Sequence, residues 1–258
     1  LRCTTLSLSQ YRHVRMHIAE WSDYDARLEQ LLAKVARNDK AVQPFALHSL
    51  TDRPELHRQA TEIYMRDVFP AKPRNVPPRP PHDRIRIAYV SEDFRNHPVS
   101  HLLAGLFEHH DRSRFEVFAI LNSPAAGDAW RERVRAGVDR FIDITRLSDA
   151  EAIALFDELE IDVAVDLNGL TGAARTSLFA RRAAPVQVNY IGYLGTLAAP
   201  YYDYILADKV MVPPGSERFY AEHIVRLPSF QINDDKPMIS ERNFTRAELD
   251  LPEDAFVF

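Results

Sequence analysis

Three polar segments carry residue types that could take part in catalysis. The first, residues 91–101, reads SEDFRNHPVSH. Pro98 suits the first position of a helix, which makes Asn96 or His97 the predicted cap. Free N–H groups at a helix start favour an anionic ligand, and an imidazole can act as acid, base or hydrogen-bond donor near neutral pH. On this segment alone, a structural interpretation is favoured, in which His97 only caps the helix and His101 only packs.

The second segment, residues 166–172, reads DLNGLTG and follows an apolar run. A carboxylate at the end of a buried strand is costly unless it is solvated or partnered. Asp166 is therefore a candidate to orient or deprotonate a hydroxyl, directly or through water. Asn168-Gly169 predicts a turn. An aspartate that merely stabilises this turn explains the same residues equally well.

The third segment, residues 192–196, reads GYLGT. Gly192 and Gly195 flank Tyr193, and glycine allows the backbone to approach a ligand closely. An ordinary loop with two glycines is the alternative, since the sequence contains neither a G-x-G-x-x-G fingerprint nor a P-loop. Metal binding is not expected, because adjacent His109 and His110 do not share a helix face and no other histidines have ligand-like spacing.

Alternating strand and helix patterns must position these segments, and they predict a parallel, doubly wound α/β sheet. In such sheets ligands bind beyond the carboxyl ends of the strands, where all three segments fall. The predicted strands cover residues 84–90, 115–121, 141–144, 162–166, 186–191, 204–206 and 224–227. The predicted helices between them cover residues 99–109, 129–136, 149–159 and 173–180.

The chain divides into four predicted parts. Residues 1–69 are helical, and residues 70–82 form a proline-rich linker that we interpret as a spacer. Residues 83–249 form the α/β lobe, and residues 250–258 are expected to begin a strand of a further domain. Ser22 with Asp25 is a weak capping box, and Pro54 starts a helix. The apolar helix faces are Tyr11, Val14, Ile18 and Trp21, then Leu28, Leu31, Leu32 and Val35, then Leu56, Ala60 and Ile63.

Composition limits the classes of partner. The 258 residues carry a net charge of −5, which does not suggest nucleic-acid binding. Cys3 is the single cysteine, so a reducing compartment, and hence the cytoplasm, is expected. No signal peptide and no run long enough to cross a membrane is seen. We therefore expect neither a nucleic-acid nor a membrane partner.

Taken together, the motifs DF-x-NHP-x-SH and PVQ-x-x-x-x-GY-x-GT resemble the O-GlcNAc transferase family. The stretches AEWSDYDARLEQLLAKV and VQPFALHSLTDRPELHRQA resemble the segment that this family places between its tetratricopeptide repeats and its catalytic lobes. The resemblance therefore covers nearly the whole chain.

The resemblance implies a two-lobed GT-B glycosyltransferase, of which this chain is the helical segment and the first Rossmann-like lobe. It implies transfer of N-acetylglucosamine from UDP-GlcNAc to Ser or Thr hydroxyls, with inversion and without a metal or other cofactor. The implied partners are a UDP-sugar, a protein or peptide acceptor, the C-terminal lobe and the N-terminal repeats. His97 and Asp166 match catalytic positions. The substrate-binding positions are Asn168, Gly169, Thr171, Tyr193, Gly195 and Thr196.

Two departures from the family pattern, Leu170 and Leu194, bear on acceptor preference more than on reaction class. The family's uridine and phosphate contacts belong to its second lobe, so no residue here takes those roles. The chain alone is therefore expected to be inactive. Two other hypotheses are a SPINDLY-like protein that transfers fucose from GDP-fucose, and a non-catalytic module that docks a partner.

Overall fold

The computed structural model describes residues 15–124, 126–172, 174–231, 236 and 241–257. Its first part consists of helices α1 (Tyr24–Ala36), α2 (Pro44–Leu47) and α3 (Pro54–Val68). Leu31 and Val35 of α1 pack with Leu56 and Ala60 of α3 in a shared apolar cluster, as the apolar spacing predicts. Pro54 occupies the first turn of α3 and confirms that helix start.

Ahead of α1 the prediction is wrong. Asp23, not Ser22, is the residue before the helix, and it lies in the left-handed region without a side-chain cap. Ile18 and Trp21 are exposed, so they do not form part of a packed helix face. Tyr11 and Val14, the other members of that predicted face, lie outside the described residues.

In the α/β lobe that follows, strands and helices alternate along most of the sequence. Its strands are β1 (Ile85–Ser91), β2 (Phe115–Leu121), β3 (Arg140–Asp143), β4 (Val163–Asp166), β5 (Val186–Asn189), β6 (Tyr204–Ala207) and β7 (His223–Arg226). Its α-helices are α4 (Pro98–His109), α5 (Ala129–Ala136), α6 (Asp149–Glu158) and α7 (Thr176–Ala180). Short 3₁₀ helices span Glu217–Phe219 and Ala247–Leu249.

Within the described residues, the strands form one parallel sheet with the order β3-β2-β1-β4-β5-β6-β7. Ser91 pairs with Leu121, and Val90 pairs with Asp166. Two apolar layers cover the sheet, one containing Ile120 with Phe156 of α6 and the other containing Leu121 with Phe107 of α4. Since the order reverses between β1 and β4, a crevice is expected outside the carboxyl ends of these strands.

One predicted strand ends two residues earlier than expected, and another does not form. The apolar run of β5 continues to residue 191, but the strand ends at Asn189 because Ile191 has a φ of 64° and Gly192 N–H donates to the Tyr190 carbonyl. The predicted strand at residues 250–258 does not form over residues 250–257, where residues 253–255 turn and the Phe256 side chain is exposed. The sheet formed by the described residues does not include this run.

The proline-rich segment is not a free spacer. It has no helix or strand, as predicted, but Arg74 donates to both carboxylate oxygens of Asp157 on α6, at 2.8 and 2.9 Å. Arg79 donates to the same carboxylate at 3.0 Å, and Lys72 N–H donates to the Ala180 carbonyl at 2.7 Å. The segment is therefore fixed along the lobe by a shared acidic residue.

We expect Asp157→Ala to release this segment. Loss of a carboxylate that accepts from two guanidinium groups should lower the free energy of unfolding by about 1–3 kcal/mol. It should also speed tryptic cleavage after Arg74, the basic residue of the segment that no proline follows. Glu132→Ala is the control, since Glu132 is paired only at the surface with Arg135. Equal cleavage rates in the two variants would show that the segment is a spacer after all.

Candidate active site

The carboxyl ends of β1 and β4, where the topology predicts a crevice, are bounded by the loops that carry the first two sequence motifs. Asn168 connects these loops. Its side-chain oxygen accepts from Glu92 N–H at 3.0 Å, and its Nδ2 donates to Asp93 Oδ2 at 2.7 Å. Asn168 is 1% exposed, so both contacts are shielded from water. The two loops are therefore held together, as the position of their strands predicts.

His97 is both the cap of α4 and an accessible imidazole. Its Nδ1 accepts a hydrogen bond from Val99 N–H at 3.3 Å, and the side chain is 34% exposed. Because Nδ1 is an acceptor, the neutral ring carries its proton on Nε2, which becomes the donor available to a ligand. His97 thus caps α4, as the sequence predicts, and its exposure is compatible with a second role.

Asp93 is a site residue that the sequence reasoning missed. It is 3% exposed, its Oδ1 accepts from Arg95 Nη2 at 2.9 Å, and its Oδ2 lies 3.6 Å from His97 Nδ1. Asp93 is therefore hydrogen-bonded to Asn168 and lies close to His97 without a hydrogen bond to it. A signal was present in the sequence, since a carboxylate three residues after the predicted first strand falls at the ligand-binding edge of the sheet.

Asp166 is buried beneath the second loop. Its Oδ1 accepts from Asn168 N–H at 3.0 Å and Gly169 N–H at 2.8 Å, while Oδ2 accepts a short hydrogen bond from the Tyr202 hydroxyl. Asp166 is 3% exposed. This geometry is that of the turn-stabilising aspartate, and it does not favour direct contact between Asp166 and a substrate hydroxyl.

Burial raises the pKa of Asp166, against the opposing effect of hydrogen bonds from Tyr202, Gly169 and Asn168. The folded state then binds a proton more readily than the unfolded state. The resulting stability is present at low pH and is lost as pH rises from the ordinary value of 3.8 through the raised pKa. Compared with Asp166→Asn, the wild type should lose unfolding free energy across this interval.

Asp208→Asn provides a control of opposite sign. Backbone N–H groups of Met211, Phe230 and Val210 lower the pKa of Asp208. Its contribution should therefore be present above 3.8 and be lost as pH falls through the lowered pKa. Denaturant titrations of both variants and the wild type from pH 3 to about 7 test this. Parallel pH dependences of the two variants would contradict the assignment.

The remaining residues of the second loop shape its turn. Gly169 has a φ of 59°, and a Cβ there would lie 2.5 Å from the Tyr193 Cβ, so glycine is needed on both counts. Thr171 Oγ1 donates to the Asn168 carbonyl at 2.8 Å and is half-buried. Gly169 and Thr171 thus fix the path of the loop that carries Asn168.

The third loop does not open toward a ligand as its two glycines suggested. Tyr193 is 1% exposed, and its hydroxyl lies 3.2 Å from His48 Nε2 in the helical segment. A Cβ on Gly195 would lie 2.6 Å from the same His48 nitrogen. The predicted substrate-binding roles of Tyr193 and Gly195 are thus not favoured by the geometry. Tyr193 and Gly195 instead join the helical segment to the lobe. Burial at this junction raises the pKa of Tyr193. Burial, with a smaller contribution from the nearby His57, also lowers the pKa of His48 to about 4.

Thr196 is likewise engaged inside the protein. Its hydroxyl donates to Glu222 Oε2 at 2.6 Å and accepts from the Ala198 and Ala221 N–H groups. Burial raises the pKa of Glu222, which also accepts from Leu197 N–H at 2.5 Å. The sequence offered no signal for Glu222, which lies 26 residues from Thr196.

Gly192 sets the third loop against the second. A Cβ at this position would lie 2.1 Å from the Leu167 carbonyl oxygen and 3.0 Å from the Asn168 Cα. Asn189 at the end of β5 donates to the Tyr193 carbonyl at 3.2 Å. The third loop therefore packs directly against the backbone of Leu167 and Asn168. No cluster of three or more metal-ligating side chains occurs in the part of the chain that the structure describes.

The parallel sheet, its switch point and the joined loops define a Rossmann-like lobe. The model of glycosyl transferase family 41 matches residues 18–250. The chain belongs to this family.

A solved structure of a Thermobaculum terrenum O-GlcNAc transferase variant is similar over 97% of this chain and 49% of its own, with a TM-score of 0.69 and 30% identity. That similarity confirms the predicted fold class. The chain is 36% identical over 181 residues to a probable UDP-N-acetylglucosamine–peptide N-acetylglucosaminyltransferase, SEC, of Arabidopsis thaliana, covering 68% of this chain and 18% of that protein.

Two further relatives cover shorter stretches. The Caenorhabditis elegans UDP-N-acetylglucosamine–peptide N-acetylglucosaminyltransferase is 36% identical over 158 residues, which is 60% of this chain and 14% of that protein. The probable UDP-N-acetylglucosamine–peptide N-acetylglucosaminyltransferase SPINDLY of Arabidopsis thaliana is 32% identical over 151 residues, which is 57% of this chain and 16% of that protein. The chain thus spans about half of the solved relative and less than a fifth of these curated ones. None of the described helices is long and apolar enough to cross a membrane.

Proposed function

We propose that this chain is the acceptor-side lobe of an O-GlcNAc transferase, which transfers N-acetylglucosamine from UDP-GlcNAc to Ser or Thr hydroxyls of proteins. The observation that carries the proposal is the connection of the first two loops through Asn168, beside the half-exposed His97. Family membership and the relatives' names support the donor and acceptor classes.

In the proposed reaction, an acceptor hydroxyl attacks the anomeric carbon from the face opposite UDP. The new C–O bond forms as the bond to the diphosphate breaks, so the sugar is inverted and UDP leaves with the bonding pair. His97 donates from Nε2 to an oxygen of the bound substrates and holds it in line. Because Asp166 is buried and hydrogen-bonded, the hydroxyl proton leaves through water, and Asp166 serves to position Asn168 and Gly169.

The proposal assigns the diphosphate to a second lobe. Preorganised donors around a departing diphosphate supply a large part of the rate in such reactions. This chain should therefore be inactive without a C-terminal lobe, and tetratricopeptide repeats preceding it would recruit the acceptor. We propose that no metal is required and that the enzyme works in the cytoplasm. Activity that survives a chelator would support the absence of a metal.

The test is transfer of radiolabel from UDP-GlcNAc to protein by the full-length protein, with GDP-fucose in parallel. Label from UDP-GlcNAc alone is the expected result. Label from GDP-fucose alone would favour the SPINDLY-like alternative. Transfer from neither donor by a folded protein that fails to bind UDP would favour a non-catalytic docking module.

A further inference from the structure

The loop that carries His97 is hydrogen-bonded to the first turn of α5 and its cap. Asp128 caps that helix, since its Oδ1 accepts from the N–H groups of Trp130 and Arg131 at 3.0 Å each. Its other oxygen, Oδ2, is free of the cap and accepts from Asn96 N–H at 2.5 Å. One carboxylate thus ties the start of α5 to the residue that precedes His97.

A second contact from the same turn holds the His97 loop at Phe94, two residues before Asn96. Arg131 Nε donates to the Phe94 carbonyl at 2.9 Å. Arg131 is 8% exposed, and its guanidinium lies 3.5 Å from where a Cβ of Gly127 would be. Burial of a guanidinium is costly unless it is hydrogen-bonded, so the bond from Nε favours keeping the Phe94 carbonyl in place. Phe94 itself is fully buried and anchors the loop in the core.

A third contact lies on the helix side of His97. His101, one turn further along α4, stacks on Trp130 with ring centroids 3.9 Å apart and an interplanar angle of 23°. The same His101 contacts Asn96 Oδ1 through Nε2 at 2.8 Å. Residues on both sides of His97 are therefore held by α5, whereas the His97 side chain itself contacts Val99 and Asp93.

We infer that the first turn of α5 is a clamp that sets the direction in which His97 is presented, with Asp128 and Arg131 as positioning residues. The inference rests on the proposed function for its effect on catalysis, and on the geometry alone for its effect on the imidazole. A displacement of a reacting group by about 1 Å can cost about a hundredfold in rate. A clamp at residues 94 and 96 is close enough to prevent such a displacement.

Asp128→Asn is the sharpest variant. Asparagine remains a good helix cap, but one amide group cannot accept at both the cap and Asn96, so one contact is lost. Arg131→Met is the second variant, which keeps an apolar stem and removes the donor to Phe94. Ser148→Ala is the matched control, because Ser148 caps α6 through a capping box remote from His97.

Two measurements decide the inference. Imidazole ¹⁵N shifts of His97 in this chain should change in Asp128→Asn and Arg131→Met, and stay as in the wild type in Ser148→Ala. In the full-length protein, kcat should fall about tenfold or more in the two variants, with KM for UDP-GlcNAc changed less than about twofold. Unchanged His97 shifts, with kcat like that of Ser148→Ala, would overturn the clamp. A wild type without transferase activity would refute the proposed function, and the His97 shifts would still decide the clamp.

Discussion

His97→Ala in the full-length protein should lower kcat for N-acetylglucosamine transfer by about 10²–10⁴-fold, the usual range for a lost acid, base or donor at a reacting group. The His97 side chain is 34% exposed, and its Nδ1 already accepts a hydrogen bond from Val99 N–H, which leaves Nε2 to meet a substrate. The measurement is initial rate against UDP-GlcNAc and acceptor concentration, together with the free energy of unfolding.

His97→Asn separates the two roles of this residue. Asparagine can accept from Val99 N–H and so preserve the cap, but it does not reach as far as Nε2. We therefore expect His97→Ala to lose about 1 kcal/mol of stability and His97→Asn to keep most of it. Both variants should be equally inactive. Recovery of activity in His97→Asn would show that His97 matters only as a helix cap.

Gly192→Ala should lower the free energy of unfolding by about 3 kcal/mol or more, because a Cβ would lie 2.1 Å from the Leu167 carbonyl oxygen. Backbone on both sides limits relaxation, since Leu167 follows β4 and Gly192 follows β5 in the same sheet. The loop carrying Asn168 should be displaced, so transferase activity should fall along with stability. Thermal and denaturant unfolding report the first effect.

Gly127→Ala is the matched control. Its added Cβ would meet only the Arg131 side chain, at 3.4 Å, which is close to ordinary contact. It should change stability by less than about 1 kcal/mol. Equal losses in the two variants would mean that the third loop is not packed against the second as described.

Much of the lobe could be predicted because its elements are local. The limits of β2 and α5 agree with the sequence prediction, since an apolar run or a periodic helix bounded by polar residues specifies itself. The end of β5 could not be predicted, because its apolar run continues through Ile191 while the chain turns to fit Gly192 against Leu167. The early end of β5 is therefore a tertiary effect, set by the packing of Gly192 against Leu167.

The location of the candidate site could be predicted from the sequence better than the role of each of its residues. Strand alternation put His97, Asp166 and Asn168 at one edge of the sheet, and the structure brings the first two loops together there. Tyr193 and Thr196 looked like loop residues open to a ligand. Their true neighbours, His48 and Glu222, are 145 and 26 residues away, so no local pattern could reveal that they are buried contacts.

The most direct test of the account is a crystal structure of the full-length protein with a non-transferable UDP-GlcNAc analogue and an acceptor peptide. We expect the sugar and the acceptor hydroxyl beside the loops joined by Asn168, with His97 Nε2 within hydrogen-bond distance of one of their oxygens. Asp166 should remain beneath the loop and out of contact. A ligand bound away from the β1–β4 crevice, or an Asp166 carboxylate touching the acceptor hydroxyl, would contradict it.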